Sequence, residues 1–182
     1  MNRLSDKRLS DLRIAVLDNN APIGPVLRDA LISWRISDLT VYDDRAEALS
    51  KISATPPDIL FVNGNGSRHT ASAVVRAIRD PKGFRYPFLA IIFALSEVTR
   101  SNVIEARDAG ADEFLAVPFT NKALGERLTS IAFDRRGFVS AQNYFGPDRR
   151  RGAMAEYLGA CRRSEKSILI DPASGRTYIS SG

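Results

Sequence analysis

The chain has 182 residues, 26 Lys and Arg against 21 Asp and Glu, a formal charge of +5, and a hydrophobic content of 44%. That length suits one well-buried core with an appendage, and no apolar run reaches the roughly 18–20 residues that cross a bilayer. The charged N-terminus Met1-Asn-Arg-Leu-Ser-Asp-Lys lacks the apolar stretch of an export signal, so a cytoplasmic location is expected. Single copies of cysteine, Cys161, and histidine, His69, exclude an internal disulfide framework and speak against a zinc enzyme.

After an N-terminal segment over 1–12, short apolar runs alternate with segments of helical period up to residue 132. This pattern predicts an α/β domain over 13–132, a doubly wound parallel sheet of five strands with helices on both faces. In chain order the strands are expected at Arg13–Leu17, Asp38–Tyr42, Ile59–Val62, Phe88–Ala94 and Glu113–Ala116. Ile23, Val26, Leu27, Ala30, Leu31 and Trp34 predict one core-facing helical stripe, and Val74, Ala77 and Ile78 another. Val103, Ile104 and Ala106 predict a further helix stopped by Gly110, and Ala123, Leu124, Leu128 and Ile131 the last one. Such sheets place their ligand crevice beyond the carboxyl ends of the strands, which directs attention to Asp18, Asn19, Asn63, Leu95 and Val117.

From Phe133 onward nine basic residues face five acidic ones, so +4 of the net charge lies in an arginine-rich extension over 133–182. Arg135-Arg136, Arg149-Arg150-Arg151 and Arg162-Arg163, interleaved with Phe138, Tyr144, Phe145 and Tyr157, suit an acidic protein groove, packing on the domain itself, or a polyanion. Contact with another protein through Arg149, Arg150 and Arg151 is the reading favoured here. Residues 167–180 alternate around a Pro/Gly turn and predict a hairpin, which needs a surface to dock on.

Three segments carry a family resemblance. Arg13-Ile-Ala-Val-Leu-Asp-Asn-Asn20, Pro57-Asp-Ile-Leu-Phe-Val-Asn63 and Glu105-Ala-Arg-Asp-Ala-Gly-Ala-Asp-Glu-Phe-Leu-Ala-Val-Pro-Phe119 resemble, in order, stretches of the CheY-like receiver domain of bacterial two-component response regulators. Tyr144-Phe-Gly-Pro-Asp-Arg-Arg-Arg151 is similar to the end of a group of single-domain alphaproteobacterial receivers. The resemblance implies a flavodoxin-like sheet in the order 2-1-3-4-5 and a role in phosphorelay signalling. It also implies which positions once served phosphoryl transfer. Asn63 stands where the family has its phosphoacceptor aspartate, Asp18 and Asn19 where it has the acidic pair that holds Mg²⁺, and Asn65 where a backbone carbonyl completes the metal shell. Leu95 stands at the switch hydroxyl and Val117 at the lysine, followed by Pro118, before which the family usually has a cis bond.

These departures agree chemically. A hard divalent cation wants several anionic oxygens, and a phosphoryl group wants a cation and a hydroxyl beside it. An amide is a poor nucleophile, and aliphatic side chains at 95 and 117 offer neither donor nor charge. The expectation is therefore a pseudo-receiver: no enzyme, weak or absent Mg²⁺ binding, no other cofactor, and output through a signalling partner at the face of the fourth helix, fifth strand and fifth helix or through the extension. Leu95 and Val117 are expected to lie under that face and to bias it toward one packing. The alternatives are a residual phosphorelay through another acceptor such as Asp18, and a polyanion-binding adaptor driven by the extension; a homodimer through the switch face stays open. Gly64-Asn-Gly-Ser-Arg-His69 lacks the Gly-Lys-Ser/Thr ending of a phosphate loop and reads as a flexible connection. Asn63-Gly64 and Asn65-Gly66 invite backbone attack on the amide, but deamidation would restore neither the lysine nor the hydroxyl.

Overall fold

The computed structural model describes residues 7–18, 23–65, 68–149, 168–172 and 176–179. After a 3-10 turn at Leu9–Asp11, the elements run β1 (Ile14–Leu17), α1 (Gly24–Ser33), β2 (Leu39–Tyr42), α2 (Arg45–Ala54), β3 (Ile59–Asn63), α3 (Arg68–Arg79), β4 (Ala90–Leu95), α4 (Arg100–Ala109), β5 (Glu113–Ala116) and α5 (Asn121–Phe133). All five strands pair in parallel in the order β2-β1-β3-β4-β5. The order reverses between β1 and β3, which opens a crevice above the carboxyl ends of those two strands.

Strand alternation divides the core into two layers. Ile14, Val16, Ile59, Phe61, Ile92 and Ala94 point to the side covered by α1 and α5, where Leu27, Leu31, Leu124, Leu128 and Ile131 meet them. Ala15, Leu17, Leu60, Val62, Ile91, Phe93 and Leu95 point to the side covered by α2, α3 and α4. Both faces being buried explains why these strands read as unbroken apolar runs rather than alternating ones.

The helix ends follow local chemistry. Asp44, Thr99 and Thr120 cap α2, α4 and α5 by accepting the backbone N–H of Glu47, Asn102 and Ala123. Gly110 ends α4 with a left-handed φ of 105°. One expectation is corrected here: Val26 is 55% exposed, because the buried stripe of α1 runs through Leu27, Ala30 and Leu31 and turns Val26 away from the sheet. α2 escaped individual placement from sequence because its buried stripe is only Ala48 and Ile52.

The described residues of the extension include four strands. β6 (Phe138–Ala141) and β7 (Tyr144–Pro147) form an antiparallel hairpin, β8 (Ile168–Ile170) pairs with β6, and β9 (Thr177–Ile179) pairs with β8. The result is a second, antiparallel sheet in the order β7-β6-β8-β9. Among the described residues no helix is long and apolar enough to cross a membrane.

Candidate functional site

The carboxyl ends of β1, β3, β4 and β5 bring Asp18, Asn63, Leu95 and Val117 to one end of the sheet, while Asn19 lies outside the described residues. Asp18 is 9% exposed and Asn63 2%. The Asp18 carboxylate accepts two hydrogen bonds: Oδ2 from the Gly24 backbone N–H at 2.8 Å and Oδ1 from the Asn63 amide Nδ2 at 2.7 Å. Asn63 Oδ1 in turn accepts the Asn65 backbone N–H at 2.9 Å, and Asn65 Oδ1 accepts the Ser96 backbone N–H at 2.6 Å. A chain of polar contacts thus runs from β1 through β3 to the loop before α4.

The orientation of the Asn63 amide follows from these partners. Asp18 can only accept and the Asn65 N–H can only donate, so Nδ2 faces the carboxylate and Oδ1 faces the loop. An uncharged donor meets a buried anion here, a charge-assisted contact that satisfies Asp18 without a cation.

This arrangement tests the fit to the Mg²⁺ that the family resemblance implies. The amide hydrogens point at the one carboxylate described in the crevice, where a divalent cation would have to approach it, and the amide oxygen is turned away onto the loop. The residues present do not fit the metal. Among the described residues no three His, Cys, Asp or Glu side chains gather into a metal-sized cluster.

Leu95 is 2% exposed and packs in the layer beneath α3 and α4, whereas Val117 packs against the layer beneath α1 and α5. The two lie on opposite sides of the sheet, Leu95 on the side of α4 and Val117 on the side of α5. Their backbones are joined, Val117 N–H donating to Leu95 C=O at 2.8 Å, and the Val117–Pro118 bond is cis. His69 is an exposed side chain beside Glu105, with Nδ1 3.2 Å from a carboxylate oxygen. Cys161, Arg150, Arg151, Arg162 and Arg163 lie outside the described residues.

At the opposite end of the sheet is a polar centre that sequence reasoning missed. Arg79, at the last turn of α3 and 3% exposed, donates to the carbonyls of Gly110, Pro87 and Leu89 at 2.7–2.9 Å and to Asp112 at 2.8 Å. Asp112 also accepts the Ile91 N–H at 2.9 Å and the Arg135 guanidinium at 2.8 Å, while Arg136 donates to its backbone carbonyl. Burial pulls the Arg79 guanidinium down to about 10, with Asp112 opposing that shift. Burial alone would raise the Asp112 carboxyl, but Arg135 and then Arg79 hold it below the usual carboxylate range.

Phe138 lies under both guanidinium groups, 5.0 Å from Arg79 and 5.1 Å from Arg135, and forms an aromatic cluster with Phe88 and Phe145. The segment Tyr144–Arg149 completes the contact. Tyr144 Oη donates to Pro147 C=O at 2.8 Å, the Arg149 guanidinium stacks on the Tyr144 ring at 4.1 Å and lies 3.4 Å from Asp108 of α4, and Asp148 pairs by backbone with Gly137. Gly146 is required for close approach, since a Cβ there would sit 2.7 Å from Tyr144 Oη and 3.2 Å from the Gly110 Cα. Arg149, expected to reach an outside partner, is therefore turned onto its own chain, as are Arg135 and Arg136. For Arg135 the physical reason is the buried Asp112 carboxylate, which needs cationic partners once removed from water, whereas Arg149 is held by Asp108 and the Tyr144 ring.

No family model matches the chain. It is similar to the chemotaxis protein CheY of Pseudomonas aeruginosa, 24% identical over 124 residues, covering 68% of this chain and 98% of that protein. Chemotaxis protein CheY-3 of Vibrio cholerae is 22% identical over 125 residues, covering 69% and 94%. Among solved structures, chemotaxis protein CheY4 of Vibrio cholerae superposes with a TM-score of 0.57 at 22% identity, covering 66% of this chain and 98% of that one. The chain contains a CheY-like response regulator receiver domain. A further receiver of the same fold, from a sensor histidine kinase of Pseudomonas aeruginosa, has a TM-score of 0.56 at 19% identity, covers 66% of this chain and 97% of its own, and was solved with a magnesium ion coordinated in its active-site cleft. In this chain the carboxyl end of the sheet holds the Asp18–Asn63 contact.

Proposed function

We propose that this receiver, a component of two-component signalling, is not phosphorylated at the usual position and serves as a phosphorylation-independent protein-interaction module with no enzymatic activity. The observation that carries the reading is the Asn63 amide, which donates to Asp18 at 2.7 Å from the end of β3. A phosphoacceptor at that place must be a nucleophile next to a bound cation, and here it is an amide that itself neutralises the local demand of the carboxylate. Leu95 and Val117 supply no hydroxyl and no charge to receive phosphoryl oxygens. The partner would be another signalling protein docking on the α4–β5–α5 face.

The alternatives draw less support. Asp18 as acceptor would attack with an oxygen already engaged, Oδ1 by the Asn63 amide or Oδ2 by the Gly24 N–H. A polyanion-binding role loses Arg135, Arg136 and Arg149 to contacts within the chain.

Intact-mass measurement of the full chain after incubation with acetyl phosphate and Mg²⁺ tests the reading. No added phosphoryl group is expected, and stoichiometric uptake with Asn63 intact would overturn it.

A further inference from the structure

We propose that α4 is held by two separate locks, one at each end, and that the C-terminal sheet supplies half of the second. The functional meaning of the locks rests on the reading of a docking face set without phosphorylation, although the locks themselves are open to test apart from it.

The first lock sits at the N-terminal end of α4. Ser96 N–H is fixed by Asn65 Oδ1 at 2.6 Å, and Glu97 C=O by Asn102 Nδ2 at 2.7 Å, with Asn102 only 4% exposed. Thr99 Oγ1 caps the helix by accepting Asn102 N–H at 3.2 Å. Through Asn65 this loop joins the Asp18–Asn63 contact, so the end of the helix is tied to β1 and β3 by hydrogen bonds that no added ligand has to complete.

The second lock sits at the other end, one helix length away. Arg79 holds Gly110 C=O at 2.9 Å and reaches the carbonyls that precede β4 and the Asp112 that precedes β5. The extension closes on the same spot through Gly146 against Gly110 and Arg149 against Asp108. A helix pinned at one end still pivots; pinned at both, it presents one arrangement of the α4–β5–α5 face. Arg149 and Asp108 remain 34% and 39% exposed, so the second lock is the one a binding partner of the C-terminal sheet can reach. Tyr144, Phe145, Gly146 and Arg149 thereby acquire a role: they are the part of the clasp contributed by the extension.

Hydrogen exchange of the full chain, read by mass spectrometry, separates the two locks. Asn65→Ala is expected to speed exchange about fivefold over Ser96–Val103 and to leave Arg107–Glu113 unchanged, a size set by the loss of one hydrogen bond at the surface. Asn65→Asp keeps an acceptor for Ser96 and is expected to exchange like the parent. Phe145→Ala, or the milder Arg149→Ala where the first perturbs folding, is expected to speed Arg107–Glu113 alone. The double variant is expected to speed all of Arg100–Ala109 by more than the two single effects combined. Loosening of the whole helix by either single change, equal behaviour of Asn65→Asp and Asn65→Ala, or a double variant no faster than its parts would overturn the proposal. Phosphoryl uptake by the same parent sample would instead defeat the functional reading and leave the exchange result standing.

Discussion

Asn63 donates its amide hydrogen to Asp18 across 2.7 Å, joining the ends of β3 and β1 with one negative charge instead of two. An anion buried among strand ends is satisfied there by a neutral dipole and by the first backbone N–H of α1.

Restoring a carboxylate at this position is expected to destabilise the domain. Asn63→Asp replaces the donor by an oxygen at hydrogen-bond distance from the Asp18 carboxylate, and like charges so close raise the pKa of one of them by about 1–3 units, or about 1–4 kcal/mol. A carboxyl whose folded pKa is raised makes the folded state weaker as pH rises above its unfolded value of about 4. Urea denaturation should therefore show a deficit relative to the parent at pH 7 that narrows toward pH 4.

The Asp112 centre behaves in the opposite sense. Its carboxyl is held low, so its contribution to stability is present above the unfolded pKa of about 3.9 and is lost as pH falls through the lower folded value. Asp112→Asn leaves Arg79 and Arg135 without their shared anion and is expected to cost about 3–5 kcal/mol near neutral pH. Denaturant titrations at pH 7 and pH 3 should show that gap shrinking at the acid end.

Arg79→Lys conserves the charge but not the geometry. Arg79 reaches three carbonyls and a carboxylate from one planar group, and an ammonium on a flexible stem cannot hold all four. A loss of about 2–4 kcal/mol is expected, read as a lowered urea midpoint at unchanged m-value.

Asn63-Gly64 is a pair prone to deamidation in a free peptide, yet the fold opposes it. The Gly64 N–H that would have to attack is bonded to Ala94 C=O at 2.9 Å, and the amide is held on both sides by Asp18 and Asn65. Peptide mapping of aged protein should show Asn63 intact under folding conditions and converted readily only after unfolding in denaturant.

Much of this was legible in the sequence because the strands are buried on both faces. Unbroken apolar runs place β1 and β3 within a residue of their ends, and the residues at the carboxyl ends of β1, β3 and β4 mark the crevice. The clasp was not legible. Arg79 looks like any basic residue in the last turn of an exposed helix, and only its three-dimensional neighbours show that α3, α4 and the approaches to β4 and β5 converge on it. Arg149 reads as an outward basic residue because its acidic partner, Asp108, belongs to a different element. β6 and β7 were overlooked since Gly146 and Pro147 interrupt the alternation that marks a strand.

The central claim is that the crevice is satisfied internally and takes neither the divalent cation nor the phosphoryl group. The most direct test is a backbone amide NMR titration of the full chain with Mg²⁺ and beryllofluoride, a phosphoryl mimic. The account predicts that the resonances of Asp18, Asn63, Asn65, Ser96 and Val117 stay in place throughout. Saturable shifts at those five amides would contradict it.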